Sequence, residues 1–424
     1  MKIRMQPTNR PLRVLVISHT AVSREAGQAR CLPLLEQADV ECRLLVPDRW
    51  KSYGVWQTPD SVADSRLDLQ VGKVVWPWTG PGQWYLHWYR DLARTLRDFR
   101  PDVVHLWEEP WGLVTVQAAR LRNRWLPSTR LIVETEQNID KRLPLPFEWF
   151  RSVTLRNADF LVARSNEAIA VARAKGYAGP AAVVGYGIDP RVFKMADRND
   201  VRRSLGFGGF VVGYAGRLTA EKGLSDLVDA LVRLPHHVNL VFIGTGPQRE
   251  ELARQAEALG VGARIRFIPS QRPAELSRMM SGLDAFALVS RTTARWKEQF
   301  GRVIIEAQAC GIPIIGSDSG AIPKVVGPGG LIVRERSPDQ IASAVLRLEG
   351  DANLRNQLAR AGRAQVAEKY TWRHISDRLL EIYRSVRRRS VAHRAVASLA
   401  GTSGAEHLGV SRVAESVRAE ASDD

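Results

Sequence analysis

The sequence predicts an α/β protein of two doubly wound halves that face a cleft, and three features predict it. Short apolar runs alternate with longer amphipathic ones through the first half, and the same rhythm returns in the second. Between them lies a stretch rich in glycine and charge, residues 185–209, that reads as a linker. Such alternation is the βαβ pattern of a parallel sheet covered on both faces. At 424 residues the chain is also too long for one ordinary core.

In the first half VLVIS (14–18), CRLLVP (42–47), VVHLW (103–107), LIVET (131–135) and FLVAR (160–164) read as buried strands, with a helix expected over 84–99. In the second, FVVGYAG (210–216), LVFIG (240–244), RIRFI (264–268), DAFALVS (284–290) and IPIIG (312–316) do the same. LSDLVDALVRL and REELARQAEALG lie between them as helices. Residues 337–349 and 352–389 carry helical periodicity. The division expected is 1–190, 191–370, a terminal helix over 371–395 packing back towards the first domain, and a disordered tail over 396–424.

Composition narrows the chemistry. Cys31, Cys42 and Cys310 are too few and too scattered for a disulfide framework or a metal cluster, which points to a reducing compartment. No signal-peptide core and no apolar run of membrane-spanning length occurs, so a cytoplasmic protein is expected. The formal charge of +16 calls for an anionic partner, whether phosphate ligand, nucleic acid or acidic membrane surface.

Residues 298–316, EQFGRVIIEAQACGIPIIG, place Glu298 and Glu306 on either side of Gly301 and an apolar run. On one helix they would stand about 12 Å apart along the axis. Glycosidase carboxyl pairs sit roughly 5–9.5 Å apart across one bond, so a hydrolytic dyad fits poorly. Gly301 instead marks a loop-to-helix junction, with Glu298 in the loop and Glu306 on the first turns. The helix N-terminus between them suits an anion, and the carboxylates suit sugar or ribose hydroxyls. In GYAGRLTAEKGL, residues 213–224, a strand ends at Gly216 and a turn offers Arg217 and Lys222, the elements of a phosphate cradle. Gly244 and Gly246 form a further turn, GTGP.

Taken together, GRLTAEKG, GTGP and EQFGRVIIEAQACGIPIIGSDSGAIPKVV resemble the donor-binding half of the retaining glycosyltransferases of family 4, over about residues 184–345. The resemblance implies the GT-B fold, two facing Rossmann-like domains. It implies that Arg217 and Lys222 bind the donor's diphosphate, that Glu298 holds sugar hydroxyls and that Glu306 holds the ribose. It places the backbone at Phe300 and Gly301 against sugar and phosphate, and the base near the strand ending at Ile268. No protein nucleophile is then required. The chain contains no Asp-x-Asp and no His-Glu-x-x-His, so neither a catalytic metal nor a cofactor is implied. G-x-G-x-x-G is also absent, which argues against a dinucleotide oxidoreductase.

The first half departs from the family pattern. The loop after the first strand reads SREAGQAR, keeping Gly27 but placing Ala26 where relatives often have a second glycine. In TEQN, Gln137 stands where many relatives carry a histidine near the reacting sugar; it can hydrogen-bond but cannot titrate, so it is expected to contact the donor sugar rather than transfer a proton, the other reading being a dead site. His19 and Glu109 are candidates to line the acceptor side, each also open to a structural reading. Ten of the twelve tryptophans precede residue 150. Trp84 and Trp88 have helical spacing and read either as core or as an acceptor or interfacial surface beside Arg90, Arg94 and Arg97. The run RSVRRRSVAHR, residues 384–394, reads as a solvated face or an attachment to anionic lipid; no interleaved aromatic motif supports nucleic acid. The expectation is a transferase using a nucleotide-sugar donor and a glycan or lipid-linked acceptor. The alternatives are a non-catalytic sugar-nucleotide or glycan binder and an epimerase of similar fold.

Overall fold

The structure is a computed structural model and describes residues 10–24, 27–52, 55–62, 64–75 and 82–402. Two all-parallel sheets organise it. The first has seven strands in the spatial order Ala181–Val183, Phe160–Ala163, Arg130–Thr135, Val103–Leu106, Leu12–Ile17, Val40–Pro47, Asp68–Gly72. The second has six, in the order Ile265–Ile268, Val238–Ile243, Phe210–Ala215, Ala285–Leu288, Ile314–Ser317, Gly330–Val333. Numbered along the chain, the second sheet runs 3-2-1-4-5-6, the doubly wound arrangement of Rossmann domains.

Each sheet reverses its strand order once. In the first, the reversal falls between Leu12–Ile17 and Val103–Leu106, paired in register with Ile17 opposite Leu106. In the second it falls between Phe210–Ala215 and Ala285–Leu288, with Gly213 opposite Phe286. Helices on either side of such a point leave a crevice beyond the carboxyl ends of the strands, where ligands of open α/β sheets bind. The second crevice is lined by ion pairs, and the first by histidines, one glutamate and tryptophans.

The central strands are buried on both faces, which explains why they read as continuous apolar runs. VVHL at 103–106 and AFAL at 285–288 bury every residue. Their helices supply the cover, as in Leu113–Trp125 and Leu224–Leu231.

Four expectations need correction. The helix expected over 84–99 is a short helix Gly82–Leu86, a two-residue strand Trp88–Tyr89 paired with Val74–Val75, and a helix Leu92–Phe99. Trp84 is therefore not a core residue at helical spacing; it is 48% exposed. The linker 185–209 contains the helix Arg198–Leu205, N-capped by Asp197. The region 352–389 breaks at Tyr370 and Thr371 into Ala352–Lys369 and Trp372–Thr402. That last helix continues past the start of the expected disordered tail, and residues 403–424 lie outside the described ones, as do Ala26 and residues 76–81.

Trp372–Thr402 packs against the first domain. Ile188 and Thr371 form a bridge between linker and helix start. Ser376 donates to the Arg30 carbonyl at 3.0 Å, and the Tyr383 hydroxyl meets His105 Nδ1 at 2.7 Å. His105, Arg30 and Arg164 surround the buried Glu134 carboxylate, with His105 Nε2 at 3.1 Å. Burial pushes His105 down to about 4, while the two arginines and His105 hold Glu134 well below the usual range despite its own burial. The network sits under the cleft rather than in it.

Candidate active site

At the switch point of the six-stranded sheet lies a pocket of about 400 Å³. Its floor is the turn after Phe210–Ala215, its wall the loop 296–299, and its far end the helix Arg302–Ala309. Gly216, Arg217, Lys222, Gly244, Glu298, Gly301 and Glu306 all line it, so residues spread over some ninety positions of sequence converge on one pocket.

The floor depends on glycine. Gly216 and Gly244 have φ of +146° and +150°, and a Cβ on Gly244 would stand 1.9 Å from the Gly216 carbonyl oxygen. The two turns can pack only as bare backbone. Gly246 lies outside the pocket, with space for a Cβ closed by the Leu218 carbonyl at 2.3 Å, so its part is loop packing. At the helix end, Gly301 takes φ +79° and delivers the chain into Arg302–Ala309 with its first amide groups facing the pocket.

The charged groups are paired. Lys222 Nζ donates to Glu298 Oε2 at 2.8 Å, Ser290 Oγ donates to the same oxygen at 2.9 Å, and the Trp296 ring lies 4.5 Å from the ammonium. Arg302 Nε stands 3.0 Å from Glu306 Oε1. Burial raises the Glu306 carboxyl above its ordinary value, against the pull of Arg302; Glu306 in turn raises Arg302. Arg217 is half exposed at the rim, 3.7 Å from Glu221. An anion entering here meets Lys222, Arg217, Arg302 and a helix N-terminus, while a polyol meets two fixed carboxylates.

Two further residues predicted on the donor side keep their side chains out of the pocket. The Phe300 side chain is buried against Tyr186 and Tyr370, leaving only its backbone near the site. Ile268 is buried with its carbonyl accepting from Gly244 N at 2.8 Å; the residues beyond it, Ser270 and Gln271, line the pocket instead.

The first domain reaches this site through TEQN. Asn138 Nδ2 donates to the Glu298 carbonyl at 3.0 Å, and Gln299 Nε2 donates to the Glu136 carbonyl at 2.8 Å. Gln137 spends its amide on the Ile139 carbonyl at 2.6 Å and so shapes the loop. Glu109 supports the same loop, accepting from Thr135 Oγ1 and from Glu136 N, both at 2.7 Å. Although part of its surface remains open, its carboxyl is desolvated and faces Glu136, which together push it up to about 8.

His19 lies elsewhere, at the switch point of the seven-stranded sheet. Its Nδ1 meets Glu108 Oε2 at 2.5 Å and its amide donates to Glu108 Oε1 at 2.7 Å. Trp50 and Trp84 flank it, ring centroids 4.5 and 5.9 Å away. Gly27 backs this loop, since a Cβ there would meet the Ala21 Cα at 2.3 Å. Among the groups missed by sequence reasoning, Arg302 was visible as an i,i+4 partner of Glu306. Asn138 and Gln299 stand inside TEQN and EQFG without being assigned a part, and Ser290 and Glu108 give no signal.

Comparison with known proteins follows the same division. The model for glycosyl transferases group 1 matches residues 197–365, and that for glycosyltransferase family 4 matches residues 34–192. The D-inositol 3-phosphate glycosyltransferase of Mycobacterium marinum is 32% identical over 213 residues, covering 48% of this chain and 44% of that protein. Its counterpart from Jonesia denitrificans is 34% identical over 224 residues, 48% and 51% of the two chains. The chain thus spans about half the length of the curated relatives it matches. Among solved structures, Anabaena HepE in complex with UDP superposes with a TM-score of 0.67 at 18% identity, over 88% of this chain and all of that one. Sucrose-phosphate synthase from Thermosynechococcus elongatus gives 0.68 at 20% identity, over 89% and 99%. Both likenesses are of fold.

Proposed function

Because the chain belongs to the group 1 glycosyltransferases of family 4, with both halves of the GT-B fold matched, we propose that it transfers a sugar from a nucleoside-diphosphate sugar, by default a UDP-hexose, to a glycan or lipid-linked acceptor with retention of configuration. The observation that carries this is the convergence of Lys222–Glu298 and Arg302–Glu306 at one helix N-terminus in a switch-point pocket. Relatives of the fold support the donor class: Anabaena HepE has been solved with UDP and with UDP-glucose.

In this reading the diphosphate displaces the direct Lys222–Glu298 contact and lies against Lys222, Arg217 and the amides after Gly301. Glu298 then accepts from sugar hydroxyls and Glu306 from the ribose. The bond from the anomeric carbon to the phosphate oxygen breaks with its electron pair going to the diphosphate, where the cations stabilise the growing charge. The acceptor oxygen bonds the same face, and its proton passes to the departing phosphate oxygen. Neither a protein nucleophile nor a metal is assigned a step.

The acceptor side carries two supporting features. Lys141 in the first domain faces Arg295 of the second, and burial together with that repulsion lowers its pKa, a setting that favours an anionic acceptor. The exposed Trp125 and Trp149 are covered by Arg97, Arg124 and Arg120 at 4.9–5.2 Å, which suits peripheral attachment to an anionic, cytoplasm-facing membrane. No described helix is long and apolar enough to cross a membrane.

A binding protein without transfer is the reading that Gln137 favours. Incubating the purified protein with UDP-glucose, UDP-galactose and UDP-N-acetylglucosamine decides between them. A transferase releases UDP slowly by donor hydrolysis, and NMR of the released sugar reports the anomer; binding with no release over hours would leave only the binding protein.

A further inference from the structure

The second switch point holds a group that the proposed transfer does not use. His19 follows the strand Leu12–Ile17 and Glu108 follows Val103–Leu106, each two residues past the register pair Ile17 and Leu106, so strand pairing alone sets them side by side. His87 enters from the turn between Gly82–Leu86 and Trp88–Tyr89, its Nε2 3.8 Å from Glu108 Oε1. One ring nitrogen from each histidine and one carboxylate oxygen lie within 4.8 Å of one another. Glu108 and His87 are 4% and 0% exposed, and the cluster meets solvent through His19 and the half-exposed Trp84.

We propose that His19, His87 and Glu108 form a binding site for a divalent transition ion, of which Zn²⁺ fits best. Two imidazoles and one carboxylate are the donor set of open zinc sites, and a set with two nitrogens disfavours the oxygen-seeking Mg²⁺ and Ca²⁺. Three protein ligands leave a fourth position for water or an oxygen of a bound molecule. The surroundings supply what such a site needs. The His19 amide orients Glu108 through Oε1, and the rings of Trp50 and Trp84 hold His19 between them. Ligands of one tetrahedral Zn²⁺ stand about 3.3 Å apart given bonds of about 2.0–2.1 Å. Binding therefore exchanges the 2.5 Å His19–Glu108 contact for two metal bonds, with His19 moving outward.

The test is metal binding by the full chain, without reference to turnover. Zn²⁺ content after dialysis is measured by elemental analysis. Co²⁺ is titrated while following its visible absorption and the quenching of tryptophan fluorescence, which Trp50 and Trp84 would report. The expected result is about one equivalent per chain, removed by a chelator. His19→Ala, at the solvent-facing position, should weaken it by more than the roughly 10- to 100-fold that loss of a supporting group costs. Glu108→Gln, with thermal melting to confirm folding, should do the same. Absence of stoichiometric binding overturns the proposal. So does binding unchanged in His19→Ala, which would place the ion elsewhere, as at the exposed His236 and His237.

Discussion

The two switch points are built to the same plan and filled with different chemistry. The one in the second domain is lined by ion pairs, Lys222 with Glu298 and Arg302 with Glu306, around bare glycine turns. The one in the first domain is aromatic and imidazole-rich, with His19, His87 and Glu108 under Trp50 and Trp84. A pocket of opposed fixed charges can exchange its internal pairs for those of a charged, hydroxylated ligand. A tryptophan-walled cluster offers stacking area and few charges. The difference teaches that one fold, used twice, is given different chemistry by what stands at the ends of its central strands.

Breaking the charged side gives the largest expected effect. Lys222→Ala removes a cation from the departing diphosphate and leaves buried Glu298 with only Ser290, so kcat for sugar transfer should fall about 10²- to 10³-fold. Steady-state kinetics with saturating donor would check it; a loss confined to KM would mean that Lys222 binds ground and transition states alike.

The next effect sharpens the contrast from beneath the first domain. His105 titrates at about 4 in the folded protein against about 6.5 unfolded, so its contribution is present above pH 6.5 and lost as pH falls towards 4. The loss is on the order of 3 kcal/mol, seen by urea unfolding as the difference in pH slope between the wild type and His105→Gln across that range. Glu109 has the opposite sign. Its raised value of about 8 gives stability at low pH that is lost as pH rises from the ordinary carboxyl range through 8. The two slopes oppose each other between the ordinary carboxyl range and about pH 6.5, so the wild-type profile should be nearly level there and fall from 6.5 to 8; His105→Gln removes the first slope, and a variant profile that stays level below 6.5 or shows no fall towards 8 would contradict the assignments.

Gly244→Ala tests whether the glycine turns are structural necessity. Its φ of +150° and the 1.9 Å approach to Gly216 predict a destabilisation of about 1–3 kcal/mol and loss of nucleotide binding. Calorimetric melting with and without nucleotide would separate the two. The smallest effect joins the halves. Asn138→Ala removes the hydrogen bond to the Glu298 carbonyl, which still accepts from Ala321, and should cost about 0.5–1.5 kcal/mol. Because that contact spans the cleft, the loss should appear in donor affinity by calorimetric titration more than in melting temperature.

What could be read from sequence follows the same division. The buried central strands are legible because a strand covered on both faces needs an unbroken apolar run. The charged pocket is legible because its groups lie in short contiguous segments, with glycine at each forced turn. At the sheet edges the strands are half buried: Asp68–Gly72, DLQVG, has no such run, and Gly330–Val333, GLIV, has only three apolar residues after a glycine stretch. Residues 84–99 look helical, but Trp88 and Tyr89 pair with Val74 and Val75 across the chain, which no local period records. The cluster of His19, His87 and Glu108 comes from three loops, and only the register of two strands brings two of them together.

The central claim is that the charged switch point is a nucleotide-sugar site. A thermal-shift panel of UDP, GDP, ADP and their common sugar conjugates tests it most directly, because a ligand bound only by the folded state raises its melting temperature. The account predicts a shift with one nucleotide, larger with its sugar conjugate, lost in Arg217→Ala and in Glu306→Ala, while Glu298→Ala abolishes only the increment due to the sugar. No shift with any nucleotide, or a shift that all three substitutions leave intact, would contradict it.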